Sequence, residues 1–371
     1  MIDYDSIAYM GNTTPLIKFL DRAEKGESLT VGFIGGSITN GSLASVHENC
    51  YAAKTVAGLA KMYPHADFRY INAGIGGTTS HFGVARCEDD LLKYSPDLVV
   101  VEFSVNDENT LFYRETYEGL VRRILLSPSH PAVIILHNVM YETGTNAQDQ
   151  HELVGVNYGL PCVSVKTSIY RDVVRGLIPV RSITPDDLHP NDKGHEMVAG
   201  LLLDLIKAVH AGELLGVCEN EEGRIAHPIT ENRYQNAERI TKPTAYKTSG
   251  EAFIAKVASD TVSKPYGVDP AFAGIKKGDY AEFDVTGSEI AAQFVRFVKH
   301  PACVAKAVID GDEEHAVILD GNFDETWGDK LDIKLLQFHG KAGHHKVRIE
   351  VVEGDEAAVP FDLVSLIVAG E

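Results

Sequence analysis

The feature that most constrains the fold is the alternation of short β-forming runs with helical patterns over the first ~210 residues. The continuous apolar, β-branched runs occupy 29–36, 68–74, 97–105, 132–139 and 161–165. Helical periodicity predicts helices from about residue 51 to Pro64, around 117–125 and over 192–210. Because continuous apolar runs are typical of strands buried on both faces, this part of the chain predicts a parallel sheet covered on both sides by helices.

The start of the first of these helices carries a capping signature. Ser45 is followed three residues later by Glu48, the spacing at which side chains and backbone N–H groups at a helix start satisfy each other. We therefore expect Ser45 and Glu48 to cap that helix.

After residue ~215 the pattern changes to alternating β-type segments separated by Gly and Asp-Gly turns, which is typical of an all-β sandwich. The segments are 280–287, 291–298, 304–311, 315–321, 331–338, 345–354 and 361–370. The polar, acidic stretch 216–224 predicts a linker. The sequence thus predicts an α/β domain over 1–215 and a β-sandwich domain over 216–371.

The composition disfavours several classes of partner and location. A net charge of −19 makes nucleic acids and acidic membranes unfavourable partners. No apolar run approaches the ~20 residues of a membrane-spanning helix, and the N-terminus lacks the pattern of a secretory signal. The cysteines have no CxxC spacing, which favours free thiols in a reducing cytoplasm. They are Cys50, Cys87, Cys162, Cys218 and Cys303.

Two segments of the second domain raise the question of a metal site. His339, His344 and His345 lie among glycines that are typical of a hairpin loop, and the acidic segment 310–315 lacks the spacing of a calcium loop. We expect no metal and no cofactor, with a structural calcium ion in the β-domain as the alternative.

Four polar segments follow predicted strands of the first domain or precede its last helix. They are "GGSIT" (35–39), "NAGIGGTTS" (72–80), "SVND" (104–107) and "DDLHPNDKGH" (186–195). Ligands of open parallel sheets bind at the carboxyl ends of the strands. We therefore expect these segments to meet at one edge of the sheet.

The residue types in these segments suit acyl transfer. A serine hydroxyl such as that of Ser37 needs a base within hydrogen-bond reach, and His189 can provide it. Asp186, three residues before His189, would hold the imidazole in the required tautomer. The adjacent Asp187 is the alternative carboxylate.

A tetrahedral intermediate also needs donors directed at its oxyanion. The backbone N–H groups of Ser37 and Gly77 and the side-chain amide of Asn106 are the candidates. Asp107 is interpreted as a structural partner of the surrounding loops rather than as a catalytic acid. Glu102 is either a residue close to the site or an end-of-strand carboxylate with its own partner.

The four segments resemble those of the SGNH (GDSL-like) hydrolase superfamily, whose serine, glycine, asparagine and histidine correspond to Ser37, Gly77, Asn106 and His189. The resemblance covers residues ~29–210 and implies a flavodoxin-like, five-stranded parallel sheet of order 2-1-3-4-5. It also implies that Ser37 is the nucleophile and that Asp186 and His189 complete a triad. Gly36, where many members carry aspartate, and Ser104, where glycine is common, depart from the pattern and bear on the substrate subfamily.

All-β domains attached to such esterases resemble jelly-roll-like, carbohydrate-binding modules. The resemblance therefore implies a serine esterase for acetyl groups on oligosaccharides, with Trp327 or Thr78 as substrate contacts. Trp327 either stacks on a sugar near Ser37 or anchors its own loop, and Thr78 can equally cap a helix. The alternatives are a lipid-directed acyl hydrolase and a non-catalytic carbohydrate-binding protein. The sequence leaves homo-oligomer formation open.

Overall fold

The computed structural model describes residues 4–216, 225–240, 247–248 and 271–370. The chain divides into two compact units, Met1–Gln235 (the α/β unit) and Asn236–Glu371 (the β unit). Most of the predicted linker, residues 217–224 with Cys218, lies outside the described residues.

The α/β unit alternates strands and helices as the sequence predicts. Its strands are β1 (Ile7–Tyr9), β2 (Ser28–Gly35), β3 (Asp67–Gly74), β4 (Leu98–Glu102), β5 (Ala132–His137) and β6 (Cys162–Ser164). Its helices are α1 (Thr14–Glu24), α2 (Ser37–Asn40), α3 (Tyr51–Met62), α4 (Ser80–Asp90), α5 (Leu111–Leu125), α6 (Gln148–Tyr158), α7 (Arg171–Val174) and α8 (Asp192–His210).

These strands form one mixed sheet of order β1-β6-β5-β4-β2-β3. Strands β2 to β6 are parallel and, numbered from β2, follow the order 2-1-3-4-5, so the predicted flavodoxin-like arrangement is confirmed. The prediction missed β1, which pairs antiparallel with β6 at the edge of the sheet. A three-residue strand is too short to show periodicity, and only its tertiary pairing defines it.

The central strands are continuous apolar runs because both of their faces are covered. Every residue of β4 and of β5 is buried. The amphipathic helix α8 packs Val198, Leu202 and Ile206 into the same core. The burial therefore follows the pattern expected for a parallel sheet between two helical layers.

The start of α3 differs from the predicted capping box. Cys50 precedes the helix, and its Sγ accepts a hydrogen bond from Ala53 N at 3.4 Å. Ser45 instead donates to Asp192, through its N at 2.7 Å and its Oγ at 2.6 Å. The prediction was wrong because a carboxylate of α8, distant in sequence, binds Ser45 in place of the nearby Glu48.

The exit segment, residues 225–235, packs along α5 at the end of the α/β unit. Buried Glu118 of α5 accepts a hydrogen bond from Ile229 N at 2.8 Å. One turn later, Arg122 Nε donates to Gln235 Oε1 at 2.6 Å. These bonds fix the segment to the helix before the chain enters the β unit.

The β unit contains two antiparallel sheets. Its strands are β7 (Glu238–Ile240), β8 (Lys247–Thr248), β9 (Phe272–Gly274), β10 (Tyr280–Thr286), β11 (Glu289–Arg296), β12 (Val304–Ile309), β13 (Val317–Asp320), β14 (Lys330–Gln337), β15 (His344–Glu353) and β16 (Phe361–Ala369). One sheet has the order β13-β12-β15-β10-β8, and the other has the order β14-β11-β16-β7, with β9 also paired to β16.

The two sheets share one apolar core. Phe283 and Ile349 of one sheet and Phe294 and Leu366 of the other belong to the same buried cluster. The alternating residues along β15 are buried and partly exposed in turn, as expected for a strand with one face on a core. The predicted β-sandwich is therefore confirmed.

Within the described ranges, no helix is long and apolar enough to cross a membrane. The cysteines in these ranges, Cys50, Cys87, Cys162 and Cys303, are all buried and carry free thiols.

Candidate active site

Three of the four polar segments leave the sheet side by side. From β2, the chain crosses first to β3 on one side and then to β4 on the other, which makes β2 the switch point where open α/β sheets bind ligands. In the strand register, Gly35 pairs with Gly74 and with Glu102. The loops that follow these residues carry the first three segments, so the topology brings them together.

Ser37 is the first residue of α2, directly after the end of β2. Side chains do not fit in this turn: a Cβ at Gly35 would lie 2.2 Å from Thr39 Oγ1, and one at Gly36 would lie 2.1 Å from Asn106 Oδ1. The amide of Asn106 therefore occupies the space that a side chain at position 36 would need. Because Ser37 begins a helix, its N–H has no intrahelical acceptor.

His189 lies in the loop before α8 and contacts both predicted partners. Ser37 Oγ lies 2.8 Å from His189 Nε2. Asp186 Oδ2 lies 2.7 Å from His189 Nδ1. The side chains of His189 and Asp186 are 22% and 44% exposed, so the pair is open to solvent. Ser37, His189 and Asp186 thus form one continuous hydrogen-bonded chain.

The carboxylate of Asp186 fixes the tautomer of His189. Partial burial raises the pKa of Asp186, but hydrogen bonds from His189 and Leu188 outweigh it and lower the pKa overall. The ionised carboxylate accepts the Nδ1 proton, which leaves Nε2 as the acceptor for the Ser37 hydroxyl. Asp186 Oδ1 also accepts the backbone N–H of His189 at 2.7 Å.

The neighbouring Asp187 makes different contacts. Its φ of +64° turns the backbone into the left-handed region. Its Oδ2 lies 2.5 Å from Arg181 Nη2, and its carbonyl oxygen accepts a hydrogen bond from Tyr141 N at 2.7 Å. The structure therefore brings Asp186, and not Asp187, to His189.

Gly77 and Asn106 lie on the two loops that flank Ser37. Gly77 has φ +68°, a conformation that favours glycine. A Cβ added to Gly76 would lie 3.7 Å from Ser37 Cβ, so this turn passes beside the serine. Asn106 Oδ1 is buried and has no hydrogen-bond partner among the described residues. All four predicted segments thus meet around Ser37.

Thr78 and Trp327 are placed differently from the other predicted site residues. Thr78 is buried, and its hydroxyl donates to Ile75 O at 2.7 Å within the turn. Trp327, in the β unit, is 57% exposed. Its ring packs edge-on against Phe323 at 5.2 Å, and its Nε1 donates to Glu325 at 2.5 Å. A substrate contact by either residue stays a prediction.

Ser104 and Glu102 form a buried pair below the loop of Asn106. Glu102 Oε1 accepts hydrogen bonds from Ser104 N at 3.0 Å and from Ser104 Oγ at 2.9 Å. Burial raises the pKa of Glu102 to about 7, although the bonds from Ser104 oppose the shift. A glycine at position 104 would lack the hydroxyl, so this departure from the superfamily pattern has a local structural role.

Sequence reasoning missed His151 of α6. Its Nε2 lies 3.0 Å from Asp107 Oδ2, and both side chains are fully buried. The contact joins a helix to a loop 44 positions earlier, and no local pattern indicates it.

His344 and His345 of the second domain are engaged in protein contacts, and His344 Nε2 lies 3.4 Å from Asp284 Oδ1. His345 Nδ1 lies 2.7 Å from Asp310 Oδ2, and His345 Nε2 lies 2.8 Å from Lys341 O. In the part of the chain that the structure describes, no group of three or more His, Cys, Asp or Glu side chains could hold a metal ion.

Known proteins match both the first unit and the full chain. The profile of the GDSL-like lipase/acylhydrolase family matches residues 33–197. An acetylxylan esterase of Geobacillus stearothermophilus is 29% identical over 202 residues, which make up 46% of this chain and 90% of that protein. A crystal structure of a two-domain esterase active on acetylated mannans is 46% identical, with a TM-score of 0.92 over 100% of this chain and 99% of that chain. A crystal structure of a two-domain esterase active on acetylated mannans, co-crystallised with mannopentaose, is 45% identical to this chain, with the same TM-score and coverage.

Proposed function

This chain belongs to the GDSL-like lipase/acylhydrolase family, and we propose that it is a serine esterase that removes acetyl groups from oligosaccharides. The observation that carries the proposal is the hydrogen-bonded chain from Asp186 through His189 to Ser37. An aspartate, a neutral imidazole and a serine hydroxyl in this order form the arrangement that acyl transfer requires.

In the first step, Ser37 Oγ attacks the acetyl carbonyl while His189 Nε2 accepts the hydroxyl proton. Asp186 stabilises the imidazolium that forms. The tetrahedral intermediate then collapses, and the sugar alcohol leaves with the proton from His189. In the second step, water attacks the acetyl-enzyme with His189 again as the base, which releases acetate and restores Ser37.

Three donors would stabilise the negative charge on the carbonyl oxygen: the backbone N–H groups of Ser37 and Gly77 and Nδ2 of Asn106. Their positions on the three loops that meet at the end of β2 support this role. Loss of one such donor typically lowers kcat by about 10²–10³-fold.

The substrate class rests on the relatives. One is named an acetylxylan esterase, and another is described as active on acetylated mannans. The second resembles this chain over its full length, and therefore includes a counterpart of the β unit. We infer that an acetylated hemicellulose oligosaccharide is the substrate and that the leaving group is a sugar hydroxyl.

The decisive experiment measures acetate release from acetylated manno- and xylo-oligosaccharides and from aryl esters of increasing acyl length. We expect activity to fall steeply beyond propionyl, and Ser37→Ala to abolish it. Activity that rises with acyl length would favour a lipid-directed hydrolase. Binding of acetylated sugar without acetate release, unchanged in Ser37→Ala, would indicate a non-catalytic binding protein.

The exposed ring of Trp327 supports a second, separate proposal, namely that it stacks on a sugar of the substrate. Trp327→Ala should then lower kcat/KM on acetylated oligosaccharides by about 10-fold and leave aryl acetate hydrolysis unchanged. If Trp327→Ala leaves kcat/KM unchanged on the acetylated oligosaccharide as well as on the aryl acetate, the stacking role is contradicted. Phe323→Leu removes the ring that packs against Trp327 but keeps Trp327 itself. It therefore serves as the control for a general disturbance of this loop.

A cytoplasmic location is also a proposal. It is supported by the scattered cysteines, of which the described ones are free thiols. Cell fractionation with an antibody against the protein would test it.

A further inference from the structure

Asp107 occupies a junction between the two loops that carry the proposed oxyanion donors. It directly follows Asn106 in the loop after β4. The N–H groups of both residues donate to Phe103 O, at 3.1 Å for Asn106 and 2.9 Å for Asp107. The backbone of Asn106 is therefore held in the same tight turn as that of Asp107.

One oxygen of the Asp107 carboxylate holds the other loop. Asp107 Oδ1 accepts a hydrogen bond from Ser80 N at 2.8 Å. Ser80 is the first residue of α4, and the preceding Thr79 makes no side-chain cap. Asp107 thus caps α4 from a different loop, with its negative charge at the positive end of the helix.

The other oxygen of the Asp107 carboxylate contacts a histidine of α6. Asp107 Oδ2 accepts a hydrogen bond from His151 Nε2 at 3.0 Å. The His151 ring stacks on Tyr117 with centroids 3.7 Å apart and planes 6° from parallel. Because both side chains of the Asp107–His151 pair are fully buried, neither can reach a substrate.

The link from Asp107 to Gly77 is short. Gly77 lies three residues before Ser80, inside the turn that the hydroxyl of Thr78 closes on Ile75 O. The Asp107 carboxylate therefore ties the turn that contains Asn106 to the start of α4, three residues after Gly77. Oxyanion donors must hold their positions to within about 0.5 Å to act at full strength.

We propose that Asp107, held by His151, is a positioning residue that sets the separation of the two oxyanion donors Gly77 N–H and Asn106 Nδ2. The inference rests on the oxyanion roles proposed above. It gives a role to the fully buried Asp107–His151 pair, which cannot itself reach the substrate, in addition to the solvent-accessible Asp186–His189 pair.

A double-mutant cycle on the full chain tests the proposal, with kcat and KM measured on an aryl acetate for wild type, Asn106→Ala, Asp107→Ala and the double variant. We expect Asn106→Ala to lower kcat by about 10²–10³-fold. Asp107→Ala should lower it by about 10²-fold with little change in KM, because oxyanion contacts form in the transition state. In the Asn106→Ala background, Asp107→Ala should cost no more than about 10-fold, since one of the donors that it positions is already absent.

Two results would overturn the inference in distinguishable ways. If Asp107→Ala costs the same factor in both backgrounds, Asp107 acts independently of Asn106 and only this inference fails. If Asn106→Ala leaves kcat unchanged, the oxyanion role of Asn106 itself fails, and the inference fails with it.

Conservative variants separate positioning from folding. Asp107→Asn keeps an acceptor for Ser80 N, and should recover most of the activity that Asp107→Ala loses. Ser80→Pro replaces the N–H donor with a ring carbon that displaces the Asp107 carboxylate, and should lower kcat relative to Ser80→Ala, which loses only the hydroxyl contact to Thr116. Equal kcat in Asp107→Asn and Asp107→Ala, or in the two Ser80 variants, would contradict the role.

Glu118→Ala provides the matched control for Asp107→Ala. Glu118 is also a buried carboxylate that accepts backbone N–H groups, but those groups belong to the exit segment. We expect Glu118→Ala to lower the unfolding temperature without changing kcat. A fall in kcat equal to that of Asp107→Ala would show that general destabilisation causes the effect, and would overturn the proposal.

Discussion

The same local motif, aspartate followed three residues later by histidine, occurs in both units of the molecule. In the α/β unit, Asp186 Oδ2 lies 2.7 Å from His189 Nδ1. In the β unit, Asp312 Oδ2 lies 2.8 Å from His315 Nδ1. In each pair, the aspartate Oδ1 also accepts the backbone N–H of the histidine. The spacing alone is therefore enough to build an oriented imidazole.

The two pairs differ in what lies at the other ring nitrogen. His189 Nε2 contacts Ser37, 152 positions away in sequence. His315 lies in the turn between β12 and β13 and is 78% exposed. Both aspartates have a lowered pKa. The hydrogen bond from His315, which lowers the pKa, is the largest cause for Asp312, whereas burial, which raises the pKa, is the largest cause for Asp186 and is outweighed by the hydrogen bonds from His189 and Leu188. The sheet topology, and not the motif, turns one of the two pairs into a candidate catalytic group.

The largest expected difference between the two pairs concerns the histidines. His189→Ala should lower kcat by about 10⁴-fold or more, because the general base is lost. His315→Ala should leave kcat within about twofold, as expected for an exposed side chain away from the chemistry. Steady-state kinetics on an aryl acetate compares them. A large loss of kcat in His315→Ala would show that the comparison is wrong.

The aspartates should differ by a smaller factor. Asp186→Asn leaves the geometry intact but offers an amide N–H to Nδ1, so it should lower kcat by about 10²–10⁴-fold. Asp312→Asn should leave kcat unchanged. If Asp186→Asn retains wild-type kcat, then the carboxylate does not orient His189 and the two pairs are equivalent in function.

Gly36, which precedes Ser37, and Gly311, which precedes Asp312, provide the next contrast. Gly36→Ala would place a Cβ 2.1 Å from Asn106 Oδ1 and displace that amide, and we expect kcat to fall by about 10²-fold. Gly311 has φ +79° and open space around its Cα, so Gly311→Ala should cost about 1 kcal/mol of stability through backbone strain and no activity. Kinetics and thermal unfolding of both variants separate a local clash from strain. Unchanged kcat in Gly36→Ala would exclude Asn106 as a positioned donor.

The smallest contrast concerns pH and buried carboxyl groups, one in each unit. Burial raises the pKa of Glu102 to about 7 and that of Asp362 to about 7, from usual values of 4.5 and 3.8. Each folded carboxyl therefore keeps a proton that the unfolded chain loses as the pH rises. In wild type, as the pH rises from the usual pKa of each group to about 7, that group lowers the free energy of unfolding by at most about 1.4 kcal/mol per pH unit.

Glu102→Gln and Asp362→Asn should remove this pH dependence, each in its own unit. The stability of either variant relative to wild type should thus increase between about pH 4.5 and about pH 7, measured by denaturant unfolding. A relative stability that is independent of pH would mean that the carboxyl group is ionised in the folded protein across this range.

Local patterns in the sequence were sufficient for most of the fold. The continuous apolar runs predicted strands β2 to β6, and the alternating runs predicted the strands of the β unit from β10 to β16. The order of β2 to β6 in the sheet was implied by the family resemblance. The family resemblance is confirmed by the matching profile over 33–197. These elements could be predicted because their signals lie within a single stretch of chain.

Three features that escaped prediction depend on contacts between distant residues. Strand β1 is defined by its pairing with β6, and Ser45 is bound by Asp192 of α8 rather than by the adjacent Glu48. His151 contacts Asp107 only because α6 packs against the loop after β4, and no local pattern in the sequence indicates that contact. The residues of the candidate site were predicted from motifs. The buried contacts behind them, such as that between Asp107 and His151, could be identified only from the structure.

The exit segment on α5 sets a limit on how the α/β unit can be transplanted or shortened. Glu118 and Arg122 form hydrogen bonds with residues that follow the predicted linker. A fragment that ends at residue 215 would leave this buried carboxylate and guanidinium without those partners, whereas one that ends at Gln235 would retain them. In chimeric or truncated esterases, the smallest exchangeable module of this scaffold therefore includes residues 225–235.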